Sequence, residues 1–203
     1  MRRFFGLASG IWRRLKRAYF AIPVRRARPA SIAFNTFKTL VQSLLMWLVF
    51  LGIGPLCVWA IESKLRLCGW PVARFWAAPE GAMGLFCLGW CVAWTSAWVL
   101  IRWGQGTPLP LDATNRLVVR GPYRWIRNPM AFASLIQGVA VGLALGSPGV
   151  LAYVLCGALA WNFGARPWEE ADMEARFGEE FKRYKNAVRC WIPRLRPYSP
   201  NQN

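Results

Sequence analysis

Two short stretches concentrate the residues that could take part in chemistry. The first runs Gly104-Gln105-Gly106-Thr107-Pro108 and resumes at Arg120-Gly121-Pro122-Tyr123-Arg124-Trp125-Ile126-Arg127-Asn128-Pro129-Met130; the second is Arg166-Pro167-Trp168-Glu169-Glu170. The chain contains no histidine, which removes Ser–His and Cys–His catalysis, His-rich zinc sites and His-ligated haem. Any acid–base step must use Asp, Glu, Tyr, Lys or Cys, or the reaction must need no strong base. Arg166 and Glu170 stand at i, i+4 and can pair on one helix face. The same residues also have a plain reading. Arginines snorkel beside a solvated acidic helix start, Asn128-Pro129 is an N-cap followed by proline at N1, and the glycines make a turn after a span. Cys87 and Cys91 share a helix face. With no histidine and no second cysteine pair nearby, they read as small buried side chains, not a metal site.

The elements that must position these residues are set by an unusual composition. The 203 residues are 55% hydrophobic with 13 Trp, yet Lys and Arg outnumber Asp and Glu by 26 to 9, a net charge of +17. Long uncharged runs with basic ends suit a protein whose bulk lies in lipid and whose ends meet anionic headgroups. A nucleic-acid binder would share the charge but not the apolar runs. Thr39–Ile61 and Gly81–Ile101 are two such runs; 23 residues reach roughly 34 Å, enough to cross a bilayer core. Gly52, Gly54 and Pro55 are a candidate kink in the first.

Between Arg127 and Arg166 lie 38 uncharged residues, about 57 Å as one helix and too long for a single span. Ser147-Pro148-Gly149 is a strong turn signal near the middle. A hairpin of about 130–146 and 148–165 therefore brings the two polar stretches to one membrane face. The expected fold is all-α and polytopic, with about four transmembrane helices, a C-terminal helical hairpin and a cytoplasmic C-terminal helix. Three segments follow: 1–37, basic; 38–102, two spans; 103–203, a loop, the hairpin and the last helix.

Lysine and arginine bias sets the orientation. Residues through Lys38 carry ten, 102–127 five and 166–196 eight, against Lys64, Arg66 and Arg74 on the other side. Both termini are expected to be cytoplasmic, as in a multi-pass protein of a bacterial inner membrane. Residues 1–30 lack Asp and Glu. Phe4, Leu7, Ile11, Leu15, Tyr19 and Ile22 oppose a basic face, as in an interfacial amphipathic helix or, alternatively, a targeting segment. Phe177, Phe181, Tyr184 and Val188 line one face of the expected last helix, 168–188, which Gly178 can break.

The ordered set GTPLP, LVVRGPYRWIRNPM, SP, EE and FGEEFKRYKNAVRCWIPR, over about residues 101–195, resembles the integral-membrane methyltransferases of the isoprenylcysteine carboxyl methyltransferase and phospholipid methyltransferase group. No one of these motifs is specific; their order and separations are. The resemblance implies S-adenosylmethionine as cofactor at the cytoplasmic helix ends, with a lipophilic methyl acceptor entering from the bilayer and no metal or nucleic acid as partner. It implies that Gly104, Gly106, Gly121, Tyr123, Arg127, Asn128, Pro129, Glu169 and Glu170 bind the cofactor, and that Arg166, Glu169 and Glu170 serve the chemistry. A carboxylate can hold the cofactor's ammonium or ribose, and an arginine its carboxylate. Backbone at glycines can approach closely, and aromatic faces suit a sulfonium. An ionised acceptor needs no base; an amine acceptor would use Glu169 or Glu170.

Arg127 stands where carboxyl-methylating relatives often have His, and Ala131 and Ala171 where many relatives have Tyr and Pro. Two other readings fit the same scaffold. One is a non-enzymatic membrane protein, in which Arg127, Glu169 and Glu170 would be replaceable. The other is a nicotinamide-dependent membrane reductase, which no dinucleotide fingerprint supports.

Overall fold

In a computed structural model of the protein, residues 27, 28, 30–72, 78–108 and 113–200 are described. Among these the chain is helical and forms no strand. The expected amphipathic helix of residues 1–30 lies almost wholly outside them. Helix α1 (Ile32–Trp47) starts where Ser31 Oγ accepts a hydrogen bond from Phe34 N at 3.2 Å, an ordinary N-cap. It passes through one wide π-type turn, Leu48–Ile53, into α2 (Gly54–Leu67). That turn takes the place of the expected kink. Pro55 has no N–H to offer the carbonyl four residues earlier and its ring crowds that carbonyl, and an extra residue in the turn relieves both. Gly54 is needed here, because a Cβ on it would lie 2.5 Å from the Tyr153 hydroxyl, which donates to Phe50 O at 3.2 Å.

Helix α3 (Pro79–Val99) ends in a second π-type turn, Leu100–Gly104. Helices α4 (Pro129–Ala144) and α5 (Pro148–Ala160) form the hairpin. A third π-type turn, Trp161–Ala165, carries α5 directly into α6 (Arg166–Ala187). Among the described residues, three helices are long and apolar enough to cross a membrane: Ile32–Leu67, Pro79–Gly104 and Pro148–Ala187, of 36, 26 and 40 residues. The apolar part of the third ends at Ala165; the charges begin with Arg166. The fourth expected crossing, α4, has 16 residues. At about 24 Å it falls short of a bilayer core of about 30 Å.

The outer faces are those of a lipid-facing protein. Phe34, Phe37, Leu44, Leu48, Leu155 and Phe163 are each more than half exposed. Cys57, Cys87, Cys91 and Cys156 also lie exposed. The expectation of buried cysteines fails because in a membrane an apolar run marks the outside as readily as the core. Inside, α4 packs most extensively on α3 and then on α5. A Cβ on Gly89 would lie 2.7 Å from Gln137, one on Gly138 2.7 Å from Val154, and one on Gly142 2.5 Å from Leu151. Gly138 and Gly142 are thus a small-xxx-small surface that lets the hairpin helices approach closely.

The hairpin turns where the sequence places it, with Gly146 at φ 57° and Ser147 as N-cap of α5. Ser147 Oγ accepts from Val150 N at 3.1 Å and donates to Glu62 Oε2. Glu62 Oε1 accepts from Gly149 N at 2.7 Å. Read only as the charge ending the first run, Glu62 is in fact 7% exposed. It caps α5 from α2, where an anion meets the positive end of the helix. Glu62→Ala should remove about 1–3 kcal/mol by leaving these donors without an acceptor. An unchanged unfolding temperature in detergent would show that the turn holds without it.

Candidate functional site

The first polar stretch is a bend that glycines allow. Gln105 adopts the left-handed conformation at φ 57°, ψ 40°. Asn115 secures it. The Asn115 backbone N–H donates to Gly104 O at 2.8 Å, and its Nδ2 donates to Gln105 O at 3.3 Å and Ala27 O at 3.1 Å. The returning segment passes so close that a Cβ on Gly104 would lie 2.7 Å from Thr114 Cγ2, and one on Gly106 2.8 Å from Thr114 Cα. The two glycines therefore admit Thr114, which in turn faces a cavity. Gly121, at φ 51°, opens a short 3₁₀ turn, Gly121–Arg124, that sets Tyr123 against α6. Tyr184 Oη donates to the Tyr123 carbonyl at 2.7 Å.

Arg127 fastens this stretch to the end of α6. Its Nη1 donates to Lys185 O at 2.7 Å and Val188 O at 2.9 Å, and its Nη2 to Glu170 Oε1 at 2.8 Å. The expected Arg166–Glu170 pair is present but loose, at 3.9 Å; Lys185 is nearer, 3.1 Å from Glu170 Oε2. Asn128 does precede α4 and Pro129 is its first residue, but the Asn128 side chain makes no capping bond. Its Nδ2 is directed to Cys190 Sγ at 3.7 Å instead. The plain reading of Glu169-Glu170 as a helix start also changes. The helix runs through from α5, so the pair sits inside a continuous rod with no free N-terminus to complement.

The two carboxylates differ in surroundings. Glu170 has three cationic neighbours. Glu169 forms no ion pair among the described residues, and burial, then the charge of Glu170, raises its carboxyl to about 7. It lies beyond the apolar part of its helix. Burial above all, and then the neighbouring Tyr184 and Glu169, lifts the Tyr123 hydroxyl well above its usual range. Burial also raises Tyr184. Both phenols stay protonated at neutral pH.

Two cavities meet here. One, of about 160 Å³, is lined by Tyr123, Arg127, Asn128, Glu169, Glu170 and Asp172, with Arg176 and Thr114. Arg176 is held by Asp172 at 2.6 Å and donates to Thr114 O at 2.7 Å. The other, of about 430 Å³, is mostly apolar and runs between α1 and the hairpin, past Trp47, Leu51, Leu135 and Val154. Pro108, Asn128, Met130 and Glu169 line both. Of the expected site residues, Tyr123, Arg127, Asn128, Glu169 and Glu170 thus come together in the wall. Gly104, Gly106, Gly121, Pro129 and Arg166 are not among the residues that line it. Sequence reasoning missed Asp172 and Arg176, although their i, i+4 spacing was a signal. It also missed Thr114 and Lys185, for which no local pattern exists. Among the described residues no cluster of metal-ligating side chains occurs.

An all-helical membrane protein with a charged cavity opening onto an apolar one is the class this geometry defines. The family model for phospholipid methyltransferases matches residues 78–180. The protein belongs to that family, a family of membrane methyltransferases that includes the isoprenylcysteine enzymes. The match takes in α3 and stops within α6, whereas the motif resemblance begins after α3. No curated protein matches the chain.

Proposed function

We propose that the protein is an S-adenosylmethionine-dependent methyltransferase acting at the cytoplasmic membrane face on a lipid or small lipophilic acceptor. The observation that carries this reading is the junction of the two cavities at Glu169. The charged wall of the smaller one suits the ammonium and carboxylate groups of such a cofactor. Its wall offers carboxylates from Glu169 and Asp172. Arg127, also in the wall, has a buried Nε without a hydrogen-bond partner among the described residues, which a carboxylate would satisfy. When bound, the cofactor supplies a methyl group on a positively charged sulfur.

The chain's own part is alignment and exclusion of water, which dominate such a transfer. Arg127, Glu170 and Lys185 fix the wall. Asn128 and Met130 separate the cavities. Glu169, free of ion pairs, is placed to hold or take a proton from an acceptor arriving through the apolar cavity. Glu170, bound to three cations, is a positioning residue.

Calorimetric titration of the full chain in detergent with S-adenosylhomocysteine should show saturable binding that Arg127→Ala weakens. A folded preparation giving no binding heat overturns the reading.

A further inference from the structure

The first helix carries oxygens that the fold leaves unpartnered. Helical Ser and Thr ordinarily return their hydroxyl to the carbonyl one turn back. Thr36 donates to Ile32 O at 2.8 Å, Ser63 to Trp59 O at 2.8 Å, Thr95 to Cys91 O at 2.7 Å and Ser134 to Met130 O at 3.0 Å. Thr39 does not. It is 1% exposed, and its buried Oγ1 has no hydrogen-bond partner among the described residues. The same holds for Oε1 of Gln42 and for Oδ1 of Asn35, itself 2% exposed. At i, i+4 and i+7 the three form one stripe of α1. Thr39 and Gln42 line the large apolar cavity that reaches Glu169. An unsatisfied buried oxygen is costly, most of all in lipid, and persists where something else satisfies it.

Resting on the methyltransferase reading above, we infer that Thr39 and Gln42 select the acceptor: Gln42 Oε1 accepts a hydrogen bond from an O–H or N–H group on an otherwise apolar lipid, and the Thr39 hydroxyl bonds to the same headgroup. Gln42 Oε1 can only accept, whereas the Thr39 hydroxyl can accept or donate, so the complementary ligand brings at least one donor, for Gln42. A carboxylate headgroup brings none. Both residues lie outside the segment matched by the family, 78–180. The common half would thus handle the methyl donor, and α1 would choose what is methylated.

The test uses the full chain in detergent and a hexadecanol bearing a mid-chain diazirine, photo-crosslinked to the cavity and located by peptide mass spectrometry. Hexadecanol and hexadecylamine should displace it at about tenfold lower concentration than hexadecyl methyl ether, which lacks a donor. The better of the two tells hydroxyl from amine. In Thr39→Val/Gln42→Met the advantage should vanish while S-adenosylhomocysteine binding persists. Thr39→Ser, which keeps the hydroxyl, should retain it. No advantage over the ether in the native protein, or an undiminished advantage in the double variant, overturns the inference and leaves the methyltransferase reading standing. Absent S-adenosylhomocysteine binding by the native protein overturns both.

Discussion

Arg127→Ala is expected to cost about 3–5 kcal/mol of stability, the range for removing one partner of a buried ion pair. The Arg127 and Glu170 side chains are only 10% and 11% exposed. One guanidinium holds a carboxylate 43 residues away and two carbonyls at the end of α6. Its backbone N–H donates to Arg189 O at 3.0 Å, so the stretch before α4 is tied to the chain after α6 twice over. Arg127→Lys should recover only part of the loss, because an ammonium cannot span the same fork of acceptors. Thermal unfolding in detergent checks this. Equal melting temperatures for the native protein and Arg127→Ala would refute the role.

Glu169→Gln should lower methyl transfer to a protonated-amine acceptor by about 10²-fold or more, the range for loss of a general base. With its carboxyl at about 7, Glu169 is neutral below that pH and charged above it, so the native rate should rise through pH 7 and level off. The variant's profile should be flat there. The stability sign is opposite. The folded value lies above the ordinary carboxylate value of 4.5, so the protonated group favours folding. That contribution is complete below about pH 4.5 and is lost as pH rises through about 7. Melting temperatures at pH 5 and pH 8 should therefore differ less in Glu169→Gln than in the native protein. A native rate that is level across pH 6–8 would exclude Glu169 as the base.

Much of the fold could be read from the residues, because lipid forces every backbone group in a span to bond within its helix. Uncharged runs bounded by Lys38, Arg102 and Arg166 therefore mark helices, and Ser147-Pro148-Gly149 marks the turn. Gly178 breaks α6 at φ 53°, and Phe181, Tyr184 and Val188 are buried as their periodicity requires. Pairing across elements is different. Periodicity offered Glu170 its neighbour Arg166, whereas its closest cation is Arg127, brought there by the hairpin. Scanning the first run for charge stopped at Glu62 and passed over Thr39 and Gln42. An uncharged polar side chain inside an apolar run raises no local alarm, and whether it faces lipid or a cavity is decided by helices elsewhere.

The π-type turns at Leu100–Gly104 and Trp161–Ala165 have a rotational consequence. Successive residues of an α-helix are about 100° apart around the axis, and a π turn takes up one residue more than an α turn. If the turn before Arg166 tightened to regular α geometry, all of α6 would swing by about 100° relative to α5. Glu169 and Glu170 would then leave the wall they share with Tyr123. The turn before Gln105 sets the angle of the opposite wall in the same way. Both sides of the cavity thus take their angular phase from single turns at the ends of membrane helices.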